Sequence, residues 1–300
     1  MKYLITGFSG FIGSHLTERL LKEGFEVIGI DRSIKWENIA DFREDKNLKI
    51  YHENIEGNIS DLFKDVDIVF HLAALTRPQW SINHVAETDD INVHGTVKVL
   101  EYCRDNKVKR VIFMSSSNLY GNNIYPTPED VKPNPMNAYA LSKLIGEQYC
   151  QLFEKVYGLE FNAIRPFNVY GARMPVSGIW TSAVATFIDV LKNNKPLEMF
   201  GNGQQRRDFI YIDDVIDQML LMAHSKIHGE VFNCGSGENT SINELFDLIC
   251  KIFGKTITSH RNPSQFEPDQ TLANISKAKF LLKWEPKVLL EEGLRKIING

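Results

Sequence analysis

The chain is poor in the features that mark out several whole classes of protein. Only four cysteines, Cys103, Cys150, Cys234 and Cys250, stand among 300 residues, far apart and with no CxxC pair. A dense disulfide framework is thereby excluded, and reduced thiols packed in the core are expected. Positive charge is not in excess either: 34 Lys and Arg against 38 Asp and Glu give a net charge of −4, with no dense basic run. Nucleic acid is therefore not an expected partner. No stretch reaches the roughly 18 consecutive apolar residues of a bilayer span. The opening "MKYLITGFSG" turns glycine-rich too early for the apolar region of a signal peptide. The expectation is a cytoplasmic protein with no membrane partner. Low-complexity linkers and internal repeats are also missing.

What is present is an alternation of short apolar runs and helical stretches. "KYLIT", "EVIGID", "LKIYHE", "DIVFHL", "RVIFMS" and "EFNAIR" read as strands, while "FIGSHLTERLLKEG", "NVHGTVKVLEYCRDN" and residues 137 to 157 read as helices. Such alternation implies a mostly parallel sheet with helices on both faces, and ligands that gather beyond the carboxyl ends of its strands. The fold class is α/β: a Rossmann doubly wound parallel sheet with a smaller α/β C-terminal substrate domain. From about residue 166 loops and shorter elements take over, punctuated by Pro166, Pro175, Pro196, Pro263, Pro268 and Pro286. "RRDFIYIDDVIDQMLLMAH" and "GEVFNCGS" read as a helix and a strand that return to the main sheet. The expected domains are thus residues 1–168 with a returning segment at about 206–234, and 169–205 with 235–300.

Gly7, Gly10 and Gly13 fall between the first strand and the first helix, with Phe11 and Ile12 among them. Missing Cβ atoms allow a tight turn and the approach of a pyrophosphate to the helix N-terminus. The spacing is GxxGxxG, a variant of the dinucleotide fingerprint. Asp31 ends the second strand, where a carboxylate can accept hydrogen bonds from the adenosine ribose hydroxyls and repel a 2′-phosphate. NAD is expected on that ground, although Arg32 beside it could partly accommodate a phosphate. "HLAA" closes a strand in small residues and brings Leu72, Ala73 and Ala74 to the cofactor backbone, with His71 expected to be packed rather than catalytic. Asn58 and Ile59 follow the third strand, in a place suited to clasping adenine.

Tyr139 and Lys143 are four residues apart on a helix and share a face. A phenol of pKa near 10 needs about 4 kcal/mol to fall by roughly 3 units. An ammonium some 4 Å away offers about that much at an effective dielectric of 20. The pair could then produce a tyrosinate able to take a proton from a substrate hydroxyl. In "RVIFMSSSNLYG" serines end a strand, and a hydroxyl there can steady the same oxygen.

With these residues in this order the chain resembles the extended short-chain dehydrogenase/reductase family, in its nucleotide-sugar epimerase/dehydratase branch. The likeness runs through "GFSGFIG", "HLAA", "NVHGT", "SSSNLYG", "YALSK", "RPFNVYGAR", "RRDFIYIDDV", "FNCGSG", "NISKA" and "LKWEP". It implies Ser116 as the catalytic Ser/Thr, Tyr139 as the base and Lys143 as the lysine that holds the nicotinamide ribose. It also implies Asn92 as support for the cofactor region, Pro166 as a cofactor neighbour, and a nucleotide diphosphate-sugar substrate held by Thr76, Ser116, Ser117, Asn168, Arg173 and Arg207. A homodimer is typical of the family. Where its dehydratases carry an Asp-Glu pair, this chain has Ser117 and Asn118, which argues against dehydration. Asn58 and Asn274 replace aspartates, and "NPSQFEPD" lacks a diphosphate arginine, with Arg261 nearest. No metal site is expected: Asp213 and Asp214 open a helix and suit its positive end. Trp80, Trp180 and Trp284 are read as packing residues. The leading activity is an NAD-dependent 4-epimerase acting through a transient 4-keto sugar. A 4-ketoreductase using NAD(P)H is the alternative, and a dinucleotide-binding sensor without catalysis is the remote one.

Overall fold

The computed structural model describes residues 1–175, 182–257, 259–262 and 268–299. The chain divides into two compact units. One holds Met1–Leu119, Pro135–Arg165 and Ile216–Phe232; the other holds Tyr120–Asn134, Pro166–Val215 and Asn233–Gly300.

The first unit is built on strands β1 (Lys2–Thr6), β2 (Glu26–Asp31), β3 (Leu48–His52), β4 (Ile68–His71), β5 (Arg110–Met114) and β6 (Glu160–Pro166), with helices α1 (Phe11–Lys22), α2 (Pro78–Ser81), α3 (Val85–Asp89), α4 (Gly95–Asp105) and α5 (Ala138–Tyr157). The seven-stranded sheet runs β6-β5-β4-β1-β2-β3, with the strand Glu230–Cys234 beside β6. Its pairs from β3 to β6 are parallel. Order reverses between β1 and β4, and such a switch point opens a crevice beyond the strand ends.

Both faces of the sheet are buried, so its strands can be continuously apolar. On one face Leu4, Val69, Val111, Phe113 and Phe161 pack with Val99, Leu100 and Cys103 of α4 and Cys150 and Phe153 of α5. The alternate residues Tyr3, Ile5, Phe70 and Ile112 are equally buried on the other face. Each such side chain contributes about 1.5–3 kcal/mol when removed from water. Gly146 lets α5 lie close on β5, since a Cβ there would stand 2.4 Å from Phe113 Cζ. The approach brings the start of α5 to the end of β5, where Ser116, Tyr139 and Lys143 sit.

The second unit contains β7 (Asn168–Tyr170), α6 (Ala183–Asn193), β8 (Leu197–Phe200), β9 (Arg206–Arg207), β10 (Phe209–Tyr211) and the start of α7 (Ile212–His224). After the strand Glu230–Cys234, now β11, come β12 (Thr240–Ser241), α8 (Ile242–Phe253), β13 (Ser259–Asn262), α9 (Ser276–Leu282) and α10 (Leu290–Asn299). Its strands pair two by two: β7 with β10, β9 with β12, and β8 with β13.

The division differs from the sequence boundaries in four places, two of them small shifts that move residues 166–168 and 233–234 into the second unit. Residues 120–134 belong to the second unit, because Thr127 N–H donates to Leu272 O at 2.8 Å, Asn274 N–H donates to Thr127 O at 3.0 Å, and the Tyr120 hydroxyl donates to Asn233. The segment 206–215 belongs there as well: Arg206 and Arg207 pair with Ser241 and Thr240, and Phe209–Tyr211 with β7. The sequence reads "RRDFIYIDDV" as helix, whereas Arg207 to Tyr211 are buried without a break and make two short strands before α7 begins at Ile212.

Among the described residues no helix is long and apolar enough to cross a membrane.

Candidate active site

The turn from β1 into α1 is shaped by its glycines. Gly7 has φ +74°, and a Cβ on Gly13 would stand 2.1 Å from Gly7 O. Gly10 is the N-cap of α1, with no side-chain cap and no acidic residue in the first turn. The first N–H groups of α1 therefore have no side-chain oxygen on them, which suits an anion. The loop after β4 closes on the turn: Thr6 Oγ1 accepts the N–H groups of Leu72 and Ala73 at 3.2 Å each. Leu72, Ala73 and Ala74 are half-buried beside it, and Thr76 is exposed.

Asp31 stands at the end of β2, partly exposed, with Ser9 on Oδ2 and the Ser33 N–H on Oδ1 at 3.0 Å. A carboxylate has about four lone-pair sites, so capacity remains for a diol. Arg32 is exposed. Asn58 is exposed too, but Ile59 is turned into the hydrophobic core at 4% exposure. Its side chain is thus part of the packing, and its backbone is what it can offer an adenine ring. His71 is packed, as expected, between Thr6 Oγ1 at 2.7 Å and Thr96 Oγ1 at 2.9 Å. Burial and the Lys143 charge push its pKa down to about 3.

Tyr139 lies in the first turn of α5, which is capped twice. The Asn137 side chain accepts from Ala140 N–H at 2.8 Å, and the buried Ser81 hydroxyl accepts from Tyr139 N–H at 3.0 Å. Asn92 reinforces the same region: its amide donates to Ser142 Oγ at 3.0 Å, and its side chain clasps the backbone of Leu75 by both N–H and C=O. Asn92 is buried in a π-helical stretch, Asp90–His94, that the sequence reading takes as plain helix.

The Ser116 side chain is near enough to the Tyr139 phenol to pull its pKa downward. Ser116 Oγ already accepts from Asn118 N at 3.2 Å and Nδ2 at 3.1 Å. Its one proton is thereby left for a further acceptor. Ser117 is half-buried on the 3-10 turn that follows.

Lys143 is buried one turn beyond Tyr139, and its Nζ donates to Met114 O at 2.8 Å, 6.0 Å from the Tyr139 ring centre. The expected depression of the phenol by this ammonium is not what the structure has. Burial raises the Tyr139 pKa, and the Ser116 side chain offsets part of that rise. The ammonium is drawn to the carbonyl that ends β5, which leaves the desolvated phenol with Ser116 as its stabilising neighbour. Burial also lowers the Lys143 pKa to about 7, against the opposing charge of Glu147.

Glu147, Arg165 and Ser115 form a buried group that sequence reading missed. Arg165 Nη2 meets Glu147 Oε2 at 2.7 Å, Arg165 Nε meets Oε1 at 2.8 Å, and the Ser115 hydroxyl donates to Oε1. The only signal was a glutamate one turn after Lys143 on a helix face that is otherwise buried.

In the second unit, Pro166 is buried at the end of β6. Asn168 donates through Nδ2 to Asp208 O at 3.0 Å and to Thr271 Oγ1 at 3.3 Å. Arg207 is 8% exposed and donates to Arg206 O at 2.9 Å. Arg173 is half-buried with φ +60°. Asp214 is buried, and its carboxylate accepts the N–H groups of Lys287 and Val288 at 2.9 and 3.1 Å, so it ties the 286–288 segment to the start of α7. Trp284 is buried and donates to Asp214 O, while Trp80 stacks on His84 at 3.8 Å. Trp180 lies outside the described residues, as do the side chain of Arg261 and residues 263–267. Among the described residues no group of three or more His, Cys, Asp or Glu could hold a metal ion.

A glycine turn into an uncapped helix, an acid ending β2, and a Ser-Tyr-Lys group over β5 are the features of one known family, and the chain matches its pattern over residues 3–235. The chain belongs to the NAD dependent epimerase/dehydratase family. Similar solved structures include the UDP-glucose 4-epimerase of Thermotoga maritima with UDP-glucose, 35% identical, covering 100% of this chain and 98% of that one, with a TM-score of 0.93. The UDP-glucuronic acid 4-epimerase of Bacillus cereus, in complex with UDP-glucuronic acid and NAD, is 36% identical over 100% of this chain and 98% of its own, also at 0.93. A UDP-glucuronate 4-epimerase of Thermodesulfobacterium geofontis is 33% identical over 99% of this chain and 95% of its own length. NAD is the cofactor of the family, and the residues here fit it. A fully open helix start faces the turn, and Asp31 offers free acceptor sites where a 2′-hydroxyl, but not a 2′-phosphate, is welcome.

Proposed function

We propose that this protein interconverts the C4 epimers of a UDP-hexose with NAD held throughout. The observation that carries this reading is the burial together of Ser116, Tyr139 and Lys143 where α5 starts against the end of β5, with Lys143 Nζ on Met114 O. Gly7, Gly10, Phe11, Ile12 and Gly13 take the pyrophosphate, Asp31 takes the adenosine ribose hydroxyls, and Lys143 takes the nicotinamide ribose. NAD, when bound, supplies the reversible oxidation of the sugar carbon.

The chain's own residues move the proton. Tyr139 Oη receives it from the sugar 4-hydroxyl and returns it, while Ser116 Oγ donates to whichever of the two oxygens carries the charge. Because burial alone holds the phenol in its neutral form, a proton acceptor at Tyr139 needs the positive charge of Lys143 and of the oxidised cofactor nearby. Asn168, Arg173 and Arg207 are the proposed holders of the nucleotide diphosphate, a group that guanidinium side chains bind bidentately. Ser117 and Asn118 supply no carboxylate, which supports epimerisation over loss of water. UDP is favoured as the nucleotide because the related enzymes with bound substrate carry UDP-sugars.

A homodimer is part of the proposal. Leu141, Leu152 and Val156 make one exposed apolar stripe along α5, and light scattering of the purified chain reads whether it pairs.

The direct test is conversion of UDP-sugars by the purified chain, followed by chromatography of the sugar and by absorbance at 340 nm. Epimers appear with no net change in the dinucleotide, and Tyr139→Phe lowers turnover by about 100-fold or more, the usual contribution of a general acid–base. Stoichiometric consumption of NADH with a 4-keto sugar would replace this reading by the reductase. Undiminished turnover in Tyr139→Phe would remove the proposed chemistry altogether.

A further inference from the structure

Ser9 lies inside the glycine turn, fully buried, and it touches both the acid and the loop that follows it. Its hydroxyl donates to Asp31 Oδ2 at 2.7 Å, and its N–H reaches the same oxygen at 3.3 Å. The hydroxyl oxygen in turn accepts from Lys35 N–H at 3.0 Å, and Ser9 O accepts from Asn38 Nδ2 at 2.9 Å. One small residue thus fixes the carboxylate and pins residues 35 to 38, in the segment that carries Arg32.

We propose that Ser9 is a positioning residue that sets the choice of NAD over NADP by locking Asp31 in the orientation that receives the ribose diol. An aspartate on its own turns freely about two torsions. Here Oδ2 is held by two donors from the glycine turn and Oδ1 by the Ser33 N–H, so the remaining lone pairs keep one direction. Without the Ser9 hydroxyl the carboxylate can swing aside and the Lys35 N–H loses its acceptor. The loop then opens beside Arg32, an exposed guanidinium next to the ribose position, and that arrangement accepts a 2′-phosphate. The inference rests on Asp31 receiving the ribose, as in the reading above, and extends it to a residue that need not touch the cofactor's ribose.

The test is titration calorimetry of the full chain, stripped of dinucleotide, with NAD and with NADP. Ser9→Ala is expected to weaken NAD about tenfold, the effect of one hydrogen bond to a charged group, and to leave NADP unchanged or tighter. Asp31→Ala lowers the NAD-to-NADP affinity ratio as well, and adding Ser9→Ala to it shifts the ratio no further. An unchanged ratio in Ser9→Ala, with the ratio shifted in Asp31→Ala, overturns the role of Ser9 alone. A ratio unchanged in Asp31→Ala overturns the ribose assignment beneath it. Equal losses for both dinucleotides in Ser9→Ala would mean mere damage to the turn and would also overturn the proposal. If Ser9→Ala does not fold, Ser9→Gly removes the same hydroxyl from the turn: a lowered NAD-to-NADP ratio supports the lock, and an unchanged one sinks it.

Discussion

Two helices of the first unit begin beside the proposed chemistry, and they begin in opposite ways. α1 starts on Gly10 with no side-chain cap, whereas α5 starts on Asn137 with its own cap and a second one lent by Ser81. Leaving first-turn N–H groups open normally destabilises a helix, because a good N-cap is worth about 0.5–2 kcal/mol. α1 keeps that deficit in the place where an anion can repair it. At α5 the deficit is removed, and the side chains of the first turns, Tyr139 and Lys143 among them, are held on a fixed backbone, as the proposed proton transfer requires. One helix start is built to bind through its backbone, the other to act through its side chains.

The largest effect expected from breaking this contrast is at α1. Gly10 has φ −67°, open to any residue, and a Cβ there would stand 3.3 Å from Gly7 O, so Gly10→Asp requires the turn to give by a few tenths of an ångström. The new carboxylate caps α1 and puts negative charge where the pyrophosphate belongs. The new cap offsets the cost of that shift, so thermal stability of the stripped protein is expected to change little, while NAD affinity falls by about 100-fold, roughly 2.7 kcal/mol. Calorimetry reads both. If NAD binds Gly10→Asp as tightly as wild type, the open start of α1 is not the phosphate site.

The next effect is electrostatic and belongs to α5. Lys143 has its pKa lowered to about 7 by burial, from 10.5. Between those values the unfolded chain binds the proton and the folded chain does not, so the contribution of Lys143 to stability rises with pH and is least below pH 7. The slope approaches about 1.4 kcal/mol per pH unit for one proton. Lys143→Met removes it, and the wild-type minus variant difference in denaturant stability should climb from pH 7 to 10 in the stripped protein. A flat difference would mean that the buried ammonium is solvated in a way the Met114 contact does not describe.

Much of this contrast was legible in the sequence. Strand and helix runs such as "KYLIT", "EVIGID" and residues 137–157 agree with β1, β2 and α5 nearly residue for residue, because period and punctuation coincide there. The glycine turn and the Tyr139–Lys143 pair were visible because they depend on local spacing. What stayed hidden depends on contacts made across the chain. Ser81 meets Tyr139 from 58 residues away, Ser9 meets Asp31 from 22, and Ser115 meets Glu147 from 32. Serine has no periodicity to announce such a partner. The burial of the Ile59 side chain was hidden for the same reason: the loop around it is polar, but the residue completes a core to which β1, β2, β4, β5, β6, α4 and α5 all contribute. Direction of charge effects was the hardest of all, since the pull of Met114 O on Lys143 exists only once α5 lies on β5.

The smallest effect separates the two caps of α5. Asn137 satisfies Ala140 N–H from within the helix, and Ser81 satisfies Tyr139 N–H from α2. Asn137→Ala should lower stability by about 1 kcal/mol and fray the turn that carries the phenol. Ser81→Ala leaves a single buried N–H without its acceptor, also about 1 kcal/mol, but keeps the helix start intact. Both variants are expected to lower kcat several-fold with KM for the UDP-sugar little changed, since Tyr139 moves and the nucleotide contacts do not. Because the two caps serve adjacent N–H groups of one turn, their losses should not add: the double variant falls short of the summed stability changes by about 0.5 kcal/mol or more. Strict additivity, measured by denaturant unfolding, would make the caps independent and leave the rigid start of α5 to packing alone.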